Sequence, residues 1–488
     1  MIDPSKLTIK EASKLITNKQ LKAYELTSAC IKRAKKVNAK LNCFITISED
    51  LAFEQAQKVD NLISNNQKLG YLAGIPVALK DLFSTKDVRT TAGSKVLENY
   101  QPAYDATVVT RLKNAQAVII GKTNEDAWGH GASGENSDFG PAKNPYDLTR
   151  VPGGSSSGSA VSVASGSSVV ATGTDTGGSV RLPSSFCNLV GLKPTYGRVS
   201  RWGIVAMASS LDSIGHISKT VYDNALILNV TAGSDDFDAT ASAKSVEDYT
   251  NQIEKGVADV KIGLPRQYFD QLDKSIKTLI IEAANKLEKL GAKLVEVSLP
   301  HTEYGVATYY LIQTSEVSSN LARYDGIRFG FERDKFGAEA KRRIILGTFA
   351  LSAGYCDAYY LKAMKVRRLI REDFIKAFTK VDVLICPVSP TVAFKLGEKV
   401  NDPLSMYLAD IFTVNASLAG VPSLAVPCGF IDNALMNTSA MSSVPNGSGQ
   451  GLPVGMQIIG PDFSEKLLYQ VGHAYEQETK WFERTPNR

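Results

Sequence analysis

The sequence predicts a large α/β layer protein. Short apolar runs of strand length alternate with longer amphipathic stretches along almost the whole chain, and that alternation is the signature of sheets covered by helices. No internal repeat and no convincing linker interrupts it. One domain over residues 1–488 is therefore expected, although length alone would allow about three.

Thr8 with Glu11 fits a capping box that opens a first helix. Leu26, Cys30, Ala34 and Val37 then recur at helical spacing. LNCFITI is a short apolar run, and residues 50 to 64 read as helix again. In LAGIPVALKDLF the apolar residues from Ile75 to Leu79 end abruptly in Lys80 and Asp81. That pattern reads as a buried strand that delivers a lysine at its end. TVVTRLKNA is helical and AVIIGK is a second buried strand. Between residues 129 and 180 Gly, Ser, Thr and Ala dominate. The segment is no flexible linker, because VVAT and AVSVA interleave apolar with small residues, and small residues let backbones approach closely. SIGHIS reads as a strand. Farther on, KIGLP, KLVEVSL, VDVLICPVSP, PSLAVPCGF and LPVGMQIIG read as strands. Residues 274 to 291, 304 to 323, 341 to 378, 406 to 419 and 464 to 478 read as helices. The polar, turn-rich stretch from Ile431 to Gly451 reads as a surface loop.

An apolar content of 43% is that of an ordinary globular protein. The net charge of +5 comes from scattered lysines and not from a basic block, which argues against a dedicated nucleic-acid face. The 6 cysteines include no CxxC pair, so no zinc or redox site is expected, and scattered thiols fit a reducing compartment. MIDPSKLTIKEASKL has no apolar core and is not read as a signal peptide. No apolar run is long enough to span a bilayer. The cytoplasm is the expected location, with no membrane association.

The chain has only 4 histidines. GSSSG matches the G-x-S-x-G pattern with Ser156 at its centre, but chance matches are frequent in Gly/Ser-rich sequence. The preceding TRVPG contains Pro152 and looks like a loop, where a nucleophile elbow requires a strand. Lysine is the alternative base. A serine hydroxyl needs a base to take its proton, and a lysine can serve only when burial or a neighbouring cation holds it neutral. Lys80, emerging from an apolar run, fits that need. Two Gly-Gly-Ser sequences place Ser155 and Ser179 as nucleophile candidates, and one serine could bridge lysine to the other. Consecutive N–H groups in such turns form a nest that can hold an oxyanion.

GIPVALKD, PGGSSSGSA and GTDTGGSVRLP, in this order and at these intervals, resemble the three landmarks of the amidase signature family. The resemblance implies that Ser179 is the nucleophile, Ser155 the bridging serine after a cis peptide, and Lys80 the base. It assigns the oxyanion hole to backbone N–H groups of Thr176, Gly177, Gly178 and Ser179. It implies one α/β/α domain around a mixed sheet of about eleven strands, with a signature core over about 129–200 and no metal.

YYLIQTSEVSSNLARYDGIRFG, AKRRIILGTFALSAGYCDAYYLKAMKVRRLI, PLSMYLADIFTVNASLAGVPSLAVPCG and LPVGMQIIG are similar to the glutamine-hydrolysing A subunits of tRNA-dependent amidotransferases, a branch of that family. This implies ammonia release from glutamine, for conversion of Glu-tRNA(Gln) or Asp-tRNA(Asn) on a partner subunit. It implies a heterotrimer with subunits B and C, with misacylated tRNA held mainly by the B subunit. It implies no cofactor on this chain, and ATP with Mg2+ on the partner. Tyr309, Arg343 and Asp410 match the pocket tyrosine, the arginine for the α-carboxylate and the aspartate for the α-amino group. A zwitterion needs one cation and one anion placed apart, and arginine can grip a carboxylate with two hydrogen bonds. A stand-alone amidase acting on another carboxamide is the alternative. Two departures stand out: NEDAWGHG at 124 to 131 replaces the usual N-x-D-E-F-x-M-G, with Trp128 and His130, and Ser157 replaces a frequent glycine.

Overall fold

A computed structural model describes residues 2–270, 272–326, 331–432 and 451–486. Its centre is one 11-stranded sheet. The strands are β1 (Phe44–Ile47), β2 (Pro76–Lys80), β3 (Val118–Thr123), β4 (Val170–Asp175), β5 (Val190–Lys193), β6 (Ser213–Ser218), β7 (Lys261–Pro265), β8 (Lys293–Val297), β9 (Val383–Pro387), β10 (Ser423–Ile431) and β11 (Leu452–Ile459). Their order is β1-β3-β2-β4-β6-β5-β10-β11-β9-β7-β8. The first six strands in sequence thus form one half of the sheet and the last five the other. The seam is the antiparallel pairing of β5 with β10, with Ser423 opposite Lys193 and Ala425 opposite Gly191. The sheet is mixed: β2 runs parallel to β3 and β4, and β7 parallel to β8 and β9.

Strands β2, β3, β4, β9, β10 and β11 are buried along their full length. Strands covered on both faces have no solvent side to alternate with, so they read as near-continuous apolar runs. Edge strand β8 is partly exposed and carries Lys293 and Glu296. The cover comes from α1 (Ile9–Thr17), α2 (Ala23–Leu41), α3 (Glu49–Ser64), α4 (Thr107–Asn114), α5 (Ser157–Ala164), α6 (Arg181–Phe186), α7 (Val221–Thr231), α8 (Lys274–Lys289), α9 (Gly305–Asn320), α10 (Ala338–Ala350), α11 (Lys362–Phe378), α12 (Pro403–Tyr407), α13 (Val414–Ala419) and α14 (Glu465–Thr479). Helix α1 opens on the expected capping box: the Thr8 hydroxyl accepts the Glu11 N–H, and the Glu11 carboxylate accepts the Thr8 N–H.

Two expected helices are divided. The stretch from 341 to 378 is split into α10 and α11 by a turn in which Gly354 has φ +84°. Helix α10 ends at Ala350 with Leu351 as its cap, and beyond the glycine, which adopts the left-handed conformation freely, a π-helical turn (Asp357–Leu361) leads into α11. The stretch from 406 to 419 becomes α12, a 3-10 turn (Leu408–Asp410) and α13. Here the Thr413 hydroxyl reaches the Asp410 carbonyl at 3.1 Å and the Gly177 carbonyl at 2.5 Å, which ties the interruption to another part of the chain. The loop expected from Ile431 to Gly451 lies, over 433–450, outside the described residues. All 6 cysteines are free. Among the described residues no helix is long and apolar enough to cross a membrane, and no cluster of metal-ligating side chains is present.

Candidate active site

The site is built at the carboxyl ends of the parallel strands β2, β3 and β4, where α/β sheets commonly bind ligands. Strand β2 ends in Lys80, which is fully buried. Its Nζ lies 2.7 Å from Ser155 Oγ and 2.9 Å from Thr174 Oγ1. Burial pushes the Lys80 ammonium below the usual lysine range, and the attraction of Glu125, Asp126 and Asp212 only partly opposes this. A lysine held that way is easier to keep neutral, the state in which it can accept a serine proton.

Ser155 sits in the loop before α5, after a cis Gly154–Ser155 peptide. The loop lies so close to its neighbour that a Cβ on Gly154 would strike the Asp126 carboxylate, which is why glycine is required there. The Ser156 N–H donates to the Ser179 carbonyl at 3.1 Å, laying the two Gly-Gly-Ser turns side by side. Lys80, Ser155 and Ser179 are therefore brought together. The Ser179 hydroxyl makes no hydrogen bond among the described residues, as suits a group that must reach a substrate. Ser156 is placed differently. Its hydroxyl pairs with the backbone N–H and carbonyl of Thr174, both at 3.3 Å. His216 meets Thr231 instead, Nε2 to Oγ1 at 2.7 Å, so no histidine serves Ser156.

Strand β4 runs into the turn from Thr176 to Ser179, and α6 follows it directly. Among the described residues, the N–H groups of Thr176, Gly177, Gly178 and Ser179 donate to no backbone acceptor. They are the available donors for an oxyanion. The turn is pinned at both ends. Asp175 forms a two-point pair with Arg181, at 2.9 and 3.0 Å, both fully buried. Thr176 donates to Asp212 at 2.7 Å. In between, a Cβ on Gly177 would lie 2.6 Å from the Tyr309 ring, and one on Gly178 (φ +145°) would strike Thr413.

The sequence-derived binding residues lie on elements outside the sheet. Tyr309, on α9, packs on Gly177 as just described. Arg343, on α10, is buried, with its guanidinium 5.4 Å from the Tyr310 ring centre and 5.8 Å from that of Tyr407. Asp410 is buried and accepts the Tyr310 hydroxyl at 3.2 Å. Burial pushes the Asp410 carboxyl up to about 7, against the Tyr310 hydrogen bond and the pull of Arg343. The rings of Tyr309 and Tyr310 meet edge-on at 5.0 Å. These two neighbours thus connect the oxyanion turn to the Arg343–Asp410 pair. A cavity lined by Gly131, Ser133, Tyr310, Glu339, Arg343 and Tyr407 opens beside it.

Several site residues escaped the sequence reading. Glu339 holds Arg343 through Oε1 to Nε at 2.8 Å, and its i,i+4 spacing on one helix was the available signal. Tyr310 and Tyr407 stack at 3.8 Å, across a separation that no local pattern reveals. Glu125 lies 3.6 Å from Lys80 Nζ; it falls at the variable second position of the NEDAWGHG segment, which gave no signal of its own. His130 is fully buried, and burial beside Arg343 holds its imidazole neutral, well below the usual range.

The sequence matches the amidase family, described as Amidase, over residues 25–469. The chain belongs to the amidase signature family. Among relatives in this family, the A subunit of glutamyl-tRNA(Gln) amidotransferase from Carboxydothermus hydrogenoformans is 51% identical over 98% of this chain and 99% of its own. The protein of the same description from Sulfurihydrogenibium sp. is 49% identical over 99% of each. The crystal structure of the glutamyl-tRNA(Gln) amidotransferase A subunit from Thermotoga maritima superposes with a TM-score of 0.82, at 42% identity, covering 98% of this chain and 96% of that one. Peptide amidase from Stenotrophomonas maltophilia gives 0.83 at 30% identity, covering 99% and 98%. The amidase signature fold and its 11-stranded sheet are thus as the sequence implied.

The glycine at 177 offers a direct check on the oxyanion turn. Gly177→Ala drives a methyl group into the Tyr309 ring and displaces the N–H groups. Amide turnover should fall by about 10²- to 10³-fold, the effect of losing one oxyanion donor. Thermal melting, recorded beside kcat, should move little. A large melting shift with proportional loss of activity would place the glycine in the core and not in catalysis.

Proposed function

We propose that this chain is the glutamine-hydrolysing subunit of a tRNA-dependent amidotransferase. The observation that carries the reading is the coexistence of two arrangements: a buried lysine on a serine pair, and a buried arginine and aspartate joined to it through Tyr309 and Tyr310. The first hydrolyses an amide. Lys80 takes the Ser155 proton as Ser155 takes that of Ser179, and Ser179 Oγ attacks the carboxamide carbon. The N–H groups of the turn receive the oxyanion. The proton returns through Ser155 to the leaving nitrogen, ammonia departs, and water releases glutamate from the acyl-enzyme. The second arrangement selects the substrate. Arg343 binds the α-carboxylate, and Asp410, in its ionised form, binds the α-ammonium of glutamine.

A stand-alone amidase acting on a neutral amide is not favoured, because Glu339 takes only the Nε of Arg343 and Asp410 meets a tyrosine hydroxyl but no cation among the described residues, so a neutral amide would make no use of either buried charge. Ammonia passes to the B subunit, which uses ATP with Mg2+ to amidate Glu-tRNA(Gln) or Asp-tRNA(Asn) and holds the tRNA. The C subunit completes the heterotrimer. This chain needs no cofactor of its own, and its place is the cytoplasm.

The test compares substrates. Arg343→Ala should lower kcat/KM for glutamine by about 2–5 kcal/mol, the range for truncating a buried charge partner. It should change turnover of a small neutral amide much less, since that amide never used the arginine. The assay is glutamate release by the chain with its partner subunits, beside hydrolysis of the neutral amide. Equal losses on both substrates would place Arg343 in support of the fold and return the chain to the general amidases.

A further inference from the structure

Glu125 stands behind the lysine of the relay. It lies two residues beyond Thr123, which is paired with Lys80 in the parallel register of β2 and β3. Its Oε2 is 3.6 Å from Lys80 Nζ, and both side chains are fully buried. Neither carboxyl oxygen has a hydrogen-bond partner among the described residues. An ionised carboxylate buried without a donor is the costly state, and a protonated one is much less so.

The other charged groups facing this pair are already matched. On the Glu125 side, Asp81 and Lys122 lie 3.4 Å apart. Asp81 also accepts the Thr91 N–H at 2.8 Å, and Lys122 donates to the Phe83 carbonyl and the Thr90 hydroxyl at 2.7 and 2.6 Å. On the Lys80 side, Asp126 accepts N–H groups of Gly134 and Asn136, each at 2.9 Å. Asp212 accepts the Thr176 hydroxyl and the N–H groups of Met207 and Ala208. Among the described residues Asp81 Oδ1 also lacks a hydrogen bond, but it faces Lys122, whereas both carboxyl oxygens of Glu125 are unbonded and one of them faces Lys80.

We propose that Glu125 is a positioning residue for the base: as a neutral carboxylic acid it holds the proton that would otherwise sit on Lys80, and so keeps Lys80 a free amine in the resting enzyme. The inference rests on Lys80 being the base of the proposed reaction. Lys80–NH3+ with Glu125–COO⁻ becomes Lys80–NH2 with Glu125–COOH. One N–H bond breaks, one O–H bond forms, and the net charge of the pair stays zero, so no proton has to leave the buried site. Burial acts on both partners in this sense, pushing the Glu125 carboxyl up to about 8 and the Lys80 ammonium down.

Two readouts test this, and one needs no substrate. The infrared difference spectrum of the full chain, wild type minus Glu125→Gln near neutral pH, should contain a carboxylic-acid C=O band. The second readout is the pH profile of glutaminase kcat/KM with the partner subunits present. When rising pH ionises Glu125, the new carboxylate stabilises the ammonium that forms on Lys80 during attack. Wild-type activity should therefore climb in a further step around pH 8, where Glu125 titrates. Glu125→Gln, an amide copy of the neutral acid, should lose less than about tenfold near neutral pH and lack that step.

A gain of about tenfold or more in the variant near neutral pH would show an anionic Glu125 that holds Lys80 protonated, and would overturn the proposal. So would an unchanged profile, or a missing acid band. A loss beyond about a hundredfold, in a variant that melts like wild type, would do the same, because it would mean that the charge itself is needed. If the wild type does not hydrolyse glutamine, the functional reading fails while the infrared band still decides the state of Glu125.

Discussion

Replacing Ser179 by Ala should remove amide hydrolysis while leaving the protein folded. The hydroxyl is the only part of the side chain lost, and it makes no hydrogen bond among the described residues that the fold could miss. The backbone contact that aligns the two serine turns, from the Ser156 N–H to the Ser179 carbonyl, survives the substitution. Activity should fall by about four to six orders of magnitude, the scale for deleting a catalytic serine that works as part of a unit. Ser156→Ala is the control, since its hydroxyl serves only the backbone of Thr174. The measurement is glutamate release, with circular dichroism and thermal melting to establish folding. Turnover of Ser179→Ala within about tenfold of wild type would reject Ser179 as nucleophile.

Lys80→Arg should be almost as damaging as Lys80→Ala, with a loss of about 10²- to 10⁴-fold, the contribution of a positioned general base. Arginine preserves the charge but does not give up its proton at working pH. It therefore fails in the one respect in which a base differs from an electrostatic support. Lys80→Met, which keeps the length without the amine, reports whether the buried space tolerates substitution. If the arginine variant kept a tenth or more of the wild-type rate, the lysine would be stabilising charge and another group would be taking the serine proton.

Much of the relay was legible in the sequence because its parts are local. The apolar run from Ile75 to Leu79 ending in Lys80 became a buried strand with the lysine at its tip. The Gly-Gly-Ser turns needed glycine for close backbone approach, and the structure shows those approaches at Gly154 and Gly177. What stayed hidden depends on partners distant in sequence. Tyr310 and Tyr407 meet across two separate helical elements. Glu125 reaches Lys80 only through the pairing of β2 with β3, and strand order is not written in local periodicity. The division of the 406 to 419 helix was missed for the same reason. Its cause is a hydrogen bond from Thr413 to Gly177, and that division leaves Asp410 at a helix end where it can face the site.

The seam between the two halves of the sheet has a consequence for biosynthesis. Lys80, Ser155 and Ser179 all belong to the early half, so a nascent chain carries the whole hydrolytic relay long before it is finished. The parts that hold the nucleophile turn come later. Tyr309 covers Gly177, Thr413 bonds its carbonyl, and Arg181 at the start of α6 crosses the seam to Gln457 on β11 at 3.0 Å. Until β10 and β11 emerge from the ribosome and close against β5, the oxyanion turn lacks these supports. Contacts so far apart in sequence also form late in folding, after the cost of closing long loops has been met. In the order of synthesis, the turn that carries Ser179 therefore gains its full set of contacts only when nearly all of the chain has been made.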